Sequence, residues 1–212
     1  MRKLILGTAL GVGMALSVLS AGARADLILS APLSTVNLAT TPQFSRPGVP
    51  ANLAQTVEVG ATLSVNTPGT VTFTYIGSEA GFINQFFTNS TASGTPTFST
   101  PGSTNMQFVS CTTGCSSSIA AALGTLAFSF RSPIGMAVNG VDGMIEPNFG
   151  VWLQNPDTAY LYFNDGGAGD DADFNDMIIR ASFAAVPEPH TVALMLAGLG
   201  LLGFMARKRV RR

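Results

Sequence analysis

The chain has 212 residues, of which 46% are hydrophobic and 11% are charged. This composition excludes a disordered chain, because enough apolar surface is available to form a core. Eight of the 11 basic residues lie in the first 24 or the last six residues, so residues 26–188 carry three arginines, no lysine and all 12 acids, a net charge of −9. Such a body is a poor partner for nucleic acid, since phosphate binding depends on clustered Lys and Arg, and cations are better candidates.

Residues 1–25 predict a secretory signal peptide. Arg2 and Lys3 precede an apolar run, and Ala23-Arg24-Ala25 is a small-x-small cleavage signature. Residues 26–54 contain four prolines among Thr, Ser and Asn residues and are predicted to form an extended leader. The exported domain is therefore assigned to residues 55–185.

From residue 55 onward the pattern is typical of β-strands. Val71, Phe73 and Tyr75 alternate with threonines, which is the period of a half-buried strand. Residues 88–104 are predicted to form a long surface loop, and residues 119–123 one helical turn. Further strands are predicted at residues 57–59, 62–65, 82–87, 106–110, 125–130, 149–153, 160–163 and 177–183. The fold class predicted from this pattern is all-β, a two-sheet sandwich or jelly roll.

The domain lacks the residues of most catalytic sites. The single histidine, His190, lies outside residues 55–185, and no lysine is present there. Triads with a histidine base and Schiff-base chemistry are therefore excluded, and we predict a protein that is not an enzyme. A glycosidase needs only two facing carboxylates, for which Glu79, Asp142 and Glu146 are the candidates.

Two cysteines are separated by three residues. Cys111 and Cys115 predict a disulfide, because an exported chain enters an oxidising compartment. The short ring leaves a labile redox pair as the alternative. A zinc site would need two more Cys or His ligands, which the domain does not have.

An acidic loop spans residues 164–176 and holds five of the 12 acids. Calcium takes six to eight oxygen ligands from carboxylates, amides and carbonyls, and this loop supplies all three. The EF-hand and β-helix calcium templates do not fit. The alternative is a solvated turn closed by Asx hydrogen bonds and glycines. The candidate calcium ligands are Asp165, Asp170, Asp171, Asp173, Asn175 and Asp176.

The C-terminus has three parts. A Val-Pro-Glu-Pro sequence precedes 16 uncharged residues at 191–206, and five of the last six residues are basic. Sixteen residues are short for a bilayer, while the basic end favours the cytoplasm. The first part comprises Val186, Pro187, Glu188 and Pro189.

Residues 186–212 resemble the PEP-CTERM sorting signal of Gram-negative bacteria, which is handled by the membrane enzyme exosortase. The resemblance implies a transient transmembrane helix at 191–206 in the inner membrane and cleavage near residues 186–189. It also implies delivery to the cell surface and association with the exopolysaccharide matrix.

Two short motifs carry a second resemblance. Gly-Ser-Glu-Ala-Gly-Phe at 77–82 and Asp-Phe-Asn-Asp-Met-Ile at 173–178 are similar to a bacterial surface domain of unknown function. This resemblance implies that Glu79 and the acidic loop belong to one module, and it brings no known activity.

The sequence predicts an exported, surface-sorted structural or adhesion protein of the exopolysaccharide matrix. One alternative is a calcium-dependent glycan-binding module, with Trp152, Tyr160 and Tyr162 as the aromatic side chains nearest the acidic loop. The second alternative is the carboxylate-pair glycosidase.

Overall fold

A computed structural model describes residues 26–30, 32–38, 56–108, 115–141, 147–166, 173–186 and 189–210. In these ranges the chain forms three antiparallel sheets and one C-terminal helix, so the predicted all-β sandwich is confirmed. The elements are β1 (Leu27–Leu29), β2 (Ser34–Asn37), β3 (Thr56–Val59), β4 (Leu63–Val65), β5 (Gly69–Ala80), β6 (Gln85–Phe87), β7 (Phe98–Ser99), β8 (Ser103–Phe108), β9 (Ser116–Ala121), β10 (Gly124–Thr125), β11 (Ser129–Ser132), β12 (Gly135–Val138), β13 (Asn148–Asn155), β14 (Thr158–Asn164), β15 (Met177–Ala185) and α1 (Pro189–Val210).

The largest sheet has eight strands and forms one layer of the sandwich. Its order is β2-β3-β13-β14-β15-β5-β8, and β9 also pairs with β5. The long strand β5 pairs with two short strands. Its first half pairs with β9 and its second half with β8. Two smaller sheets, β1-β4-β10 and β12-β11-β6-β7, complete the architecture.

Phenylalanine rings fill the core between the large sheet and the smaller sheets. Phe130 of β11 stacks on Phe163 of β14 with centroids 4.8 Å apart. Phe86 of β6 contacts Phe73 of β5 at 5.1 Å and Phe130 at 5.0 Å. These side chains are fully buried, so the alternation predicted for β5 turns its apolar residues into this core.

A second apolar cluster covers part of the outer face of the large sheet. Gly150 of β13 allows β3 to lie close, because a Cβ there would stand 2.5 Å from Val57 Cγ2. The large sheet is therefore buried on both faces over its middle strands. The cluster comprises Leu38, Val57, Val59, Tyr160, Tyr162, Phe174 and Ile178.

Two local predictions are wrong. The predicted helical turn at 119–123 is strand β9 up to Ala121, because alternate residues of this segment pack on the core. The predicted surface loop at 88–104 contains β7 and the start of β8, and Phe98 and Thr100 within it are buried. Serine and threonine are common in both loops and half-buried strands, so composition alone did not separate them.

The predicted leader contains β1 and β2, which hydrogen-bond to β4 and β3 respectively. The predicted signal peptide at 1–25 lies outside the described residues and stays a prediction.

The C-terminal residues form α1, whose apolar side chains include exposed Leu196, Leu199 and Phe204. No helix in the described part of the chain is long and apolar enough to cross a membrane, so the predicted transmembrane helix at 191–206 is not confirmed. Sixteen uncharged residues give a helix of about 24 Å, whereas the hydrocarbon core is about 30 Å thick.

Candidate functional site

Buried polar side chains gather at one end of the large sheet. Because β14 runs antiparallel to β13 and β15, its last residues lie beside the start of both neighbours, and Asn148 pairs with Asn164. The end of β5 and the loop before β6 reach the same region through hydrogen bonds. We call this set the polar end, and each member is at most 6% exposed: Glu79, Asn84, Asn148, Asn164, Asp165, Asp173 and Asn175.

Asp165 connects the large sheet to the β12-β11-β6-β7 sheet. Asn84 Nδ2, just before β6, donates a hydrogen bond to Asp165 Oδ2 at 2.8 Å. Ser132 Oγ, at the end of β11, donates to the backbone oxygen of Asp165 at 3.2 Å. The backbone N–H of Asp165 in turn donates to Asp176 Oδ2 at 2.7 Å. The polar end therefore holds the two layers together at this edge of the sandwich.

The segment before β15 is folded on itself and on β5. The backbone N–H of Asn175 donates to Asp173 Oδ1 at 3.2 Å, which is an Asx turn. The backbone N–H of Glu79 donates to the oxygen of Asn175 at 2.9 Å. Phe174 has a φ of +56° and packs in the outer cluster, so the chain reverses direction here. Glu79 and residues 173–176 thus form one local structure.

Several buried side-chain amide atoms at the polar end make no hydrogen bond with any described residue. They are Asn84 Oδ1, Asn148 Oδ1, Asn164 Nδ2, and both Asn175 Oδ1 and Asn175 Nδ2. A buried polar atom that lacks a partner costs about 1–3 kcal/mol. The polar end therefore has capacity for further polar or charged partners.

Arg131, one of the three basic residues between residues 26 and 188, forms hydrogen bonds with residues outside the polar end. Its Nε and Nη2 donate to Gln85 Oε1 at 3.0 and 2.7 Å, and its Nη1 donates to the backbone oxygen of Ala92 at 3.0 Å. The guanidinium also lies 5.1 Å from the ring centroid of Phe87. The partners of Arg131 are neutral or aromatic groups. Arg131 therefore stabilises the β12-β11-β6-β7 sheet.

The structure brings together four of the six predicted calcium ligands. Asp165, Asp173 and Asn175 belong to the polar end, and the half-buried Asp176 contacts it through the backbone N–H of Asp165, whereas residues 170 and 171 lie outside the described ranges. Among the residues that the structure describes, no group of three His, Cys, Asp or Glu side chains is placed to hold a metal ion. Calcium binding stays a prediction.

The sequence did not identify Asn84 and Ser132 as parts of this region. Asn84 precedes β6 and Ser132 is the last residue of β11, and no pattern near either residue resembles a ligand motif. The excess of asparagines at strand ends is the one signal that could have identified the region.

The aromatic side chains proposed for glycan contact are mostly buried. Tyr160 is 3% exposed and Tyr162 is fully buried, while the partly exposed Trp152 stacks on Tyr160 with centroids 5.5 Å apart. Of the candidate glycosidase carboxylates, Glu79 is 6% exposed, and residues 142 and 146 lie outside the described ranges. An exposed platform of three aromatic side chains is therefore absent from the described sheet face.

The two cysteines cannot be paired from the described residues. Cys115 is buried at the edge of the core, and residue 111 lies outside the described ranges. The disulfide stays a prediction.

Residues 185–212 match a family model described as the PEP-CTERM protein-sorting motif. This match confirms the resemblance seen at the C-terminus, and it marks an exported protein that is sorted by exosortase. It begins at the last residue of β15, so it does not extend over the sandwich. Searches of curated proteins and of solved structures found no significant match.

Proposed function

We propose that this chain is a non-enzymatic structural or adhesion protein of the bacterial surface, associated with the exopolysaccharide matrix. The observation that carries the proposal is the sorting motif at residues 185–212. In this proposal exosortase cleaves near residues 186–189, α1 and the basic end stay behind, and the sandwich is delivered outside.

The composition of the domain supports a role without catalysis. Residues 55–185 contain no histidine and no lysine, which removes the commonest general bases and nucleophile activators. The carboxylate of Asp165 accepts a hydrogen bond from Asn84 across two sheets, which is a structural task. The net charge of −9 over residues 26–188 favours solubility and disfavours nonspecific binding to anionic polymers.

The two alternatives have less support. A calcium-dependent glycan-binding module needs exposed aromatic rings, and Tyr160 and Tyr162 are buried. A carboxylate-pair glycosidase needs two acids open to a polymer, and Glu79 is buried beside residues 173–176.

Mass spectrometry of the protein released from the cell surface tests the sorting route. We expect an N-terminus at or near Asp26 and loss of every residue after the Pro-Glu-Pro sequence. Replacing Pro187 and Pro189 by alanine should leave the uncleaved chain in the membrane fraction, whereas Pro156→Ala, in the β13–β14 turn, should not. Recovery of surface-exposed protein with residues 191–212 intact would refute the processing step.

Fractionation tests the matrix association separately. In a strain that makes no exopolysaccharide, the processed protein should move from the matrix fraction to the culture medium. An unchanged distribution between the two strains would contradict a matrix role and leave the sorting route standing.

A further inference from the structure

We propose that the outer face of β9, β5 and β15 binds an acidic polysaccharide, and that Arg180 holds a carboxylate of the sugar chain. The inference rests on the matrix association proposed above, and it names the surface and the class of polymer. We call this surface the hydroxyl face. It comprises Arg180 and the hydroxyl side chains of Thr72, Thr74, Ser116, Ser118 and Ser182.

The hydroxyl face follows from the alternation of side chains along its strands. The residues that flank Arg180, Ile179 and Ala181, lie in the Phe-rich core, so Arg180 lies on the opposite side of the sheet. In one row across the strands, Thr74 pairs with Ser116 on one side and with Arg180 on the other. The next row comprises Thr72, Ser118 and Ser182.

The hydroxyl groups of β5 and β9 are already arranged in pairs. Thr72 Oγ1 lies 2.8 Å from Ser118 Oγ, and Thr74 Oγ1 lies 3.0 Å from Ser116 Oγ, and both pairs are exposed. Each pair uses one hydroxyl hydrogen internally, so the second hydrogen and further lone pairs remain for an outside partner. Sugar hydroxyls fit this surface, because they also donate and accept hydrogen bonds.

Arg180 supplies the charge that selects the sugar. Its side chain is half-buried, and its buried Nε makes no hydrogen bond with any residue that the structure describes. Arg131, by contrast, uses its guanidinium donors on Gln85 and Ala92. The planar fork of a guanidinium matches a carboxylate, so a uronic acid unit supplies both the anion and the hydroxyls that this surface accepts.

The overall charge makes Arg180 decisive. Residues 26–188 carry a net charge of −9, which repels an anionic polymer at long range. An acidic polysaccharide therefore stays bound only if a local contact outweighs this repulsion. The hydroxyl face provides such a contact at Arg180, and its rows of hydroxyl groups extend it along the polymer.

Titration of the full chain with polygalacturonate, followed by calorimetry, tests the proposal. Wild type should bind this polymer and should bind its methyl-esterified form much more weakly, because the ester removes the negative charge and keeps the sugar backbone. Arg180→Gln should weaken binding of polygalacturonate about tenfold or more, since a hydrogen bond to a charged group is lost. Arg180→Lys should restore only part of the affinity, because an ammonium group lacks the guanidinium fork.

Arg131→Gln is the matched control for charge. It makes the same change in net charge, but Arg131 lies on β11 of another sheet, so binding should equal that of the wild type. Circular dichroism at the titration temperature checks that both glutamine variants are folded.

Hydroxyl substitutions test the rest of the face. Thr72→Val keeps the shape of a β-branched side chain and removes one hydroxyl, so it should weaken binding severalfold. Thr35→Val is its matched control. Thr35 is an exposed residue of β2, and its neighbour Val36 packs on the outer cluster, so Thr35 lies on the opposite side of the sheet.

Trp152 reports where the polymer binds. It is the one tryptophan of the chain, and it stacks on Tyr160, which pairs with Arg180. Binding at the hydroxyl face should therefore change tryptophan fluorescence in parallel with the binding heat. Binding heat without a change in fluorescence would contradict this location.

The proposal is overturned if the wild type does not bind polygalacturonate, or if it binds the methyl-esterified polymer equally well. It is also overturned if Arg180→Gln binds as tightly as the wild type. None of these results touches the matrix association itself, which the comparison of strains with and without exopolysaccharide tests in cells.

Discussion

Replacing Gly150 by alanine should destabilise the sandwich by forcing β3 away from β13. A Cβ at residue 150 would stand 2.5 Å from Val57 Cγ2 and 2.8 Å from Val57 Cβ, well inside the contact distance of two carbons. Added atoms in a packed region cost about 1–3 kcal/mol. At about 2–4 °C per kcal/mol for a domain of this size, the melting temperature should fall by about 2–12 °C.

Thermal unfolding of the full chain, followed by circular dichroism, measures this change. Gly81→Ala is the matched control, because a Cβ there meets no atom within 4 Å. The control should be neutral or slightly stabilising, since alanine restricts the unfolded chain. Combining Gly150→Ala with Val57→Ala removes the nearest Cγ atom, so Gly150→Ala should cost less in that background. Equal melting temperatures for Gly150→Ala and Gly81→Ala would refute the steric reasoning.

Phe86→Ala should cost about 3–5 kcal/mol in chemical denaturation, because the ring is fully buried among other phenylalanines, while Ile83→Ala, at a side chain 59% exposed, should cost under about 1 kcal/mol. Burial raises the pKa of Tyr75 above its usual 10.0, and the hydrogen bond with Ser78 lowers it by less. The folded state therefore favours the neutral phenol of Tyr75. The resulting contribution to the free energy of unfolding is complete below about pH 10 and is lost as the pH rises through the folded-state pKa. In thermal unfolding at pH 9–11, the melting temperature of Tyr75→Phe should therefore fall less with rising pH than that of the wild type. Alkylation without reduction should leave both cysteines unmodified, and quantitative labelling of both thiols would contradict the disulfide.

The alternation of Val71, Phe73 and Tyr75 was sufficient to predict β5, because each of these side chains enters the core. The pairing of β5 with β9 in one half and β8 in the other could not be predicted, since register depends on strands distant in sequence. Residues 119–123 were predicted to form a helical turn, although residues 119–121 belong to β9, because small residues show little periodicity.

The candidate site was predictable only within one loop. Clustered carboxylates and glycines pointed to residues 164–176, and Asp165 and Asp176 do meet there. Asn84 could not be found in this way, because it is 81 residues from Asp165 in sequence and only the closed sandwich places the two side chains together. An isolated asparagine after a strand usually indicates a turn.

The strand that leads into the sorting motif is not an edge strand. β15 lies between β14 and β5, and it is hydrogen-bonded to both along its length. When the chain is pulled from its C-terminal end, the tension runs along β15 and loads both ladders in shear. Many hydrogen bonds must then break together, whereas an edge strand pulled outward can be peeled one bond at a time. A load applied at Ala185 would therefore meet the resistance of two strand ladders in shear.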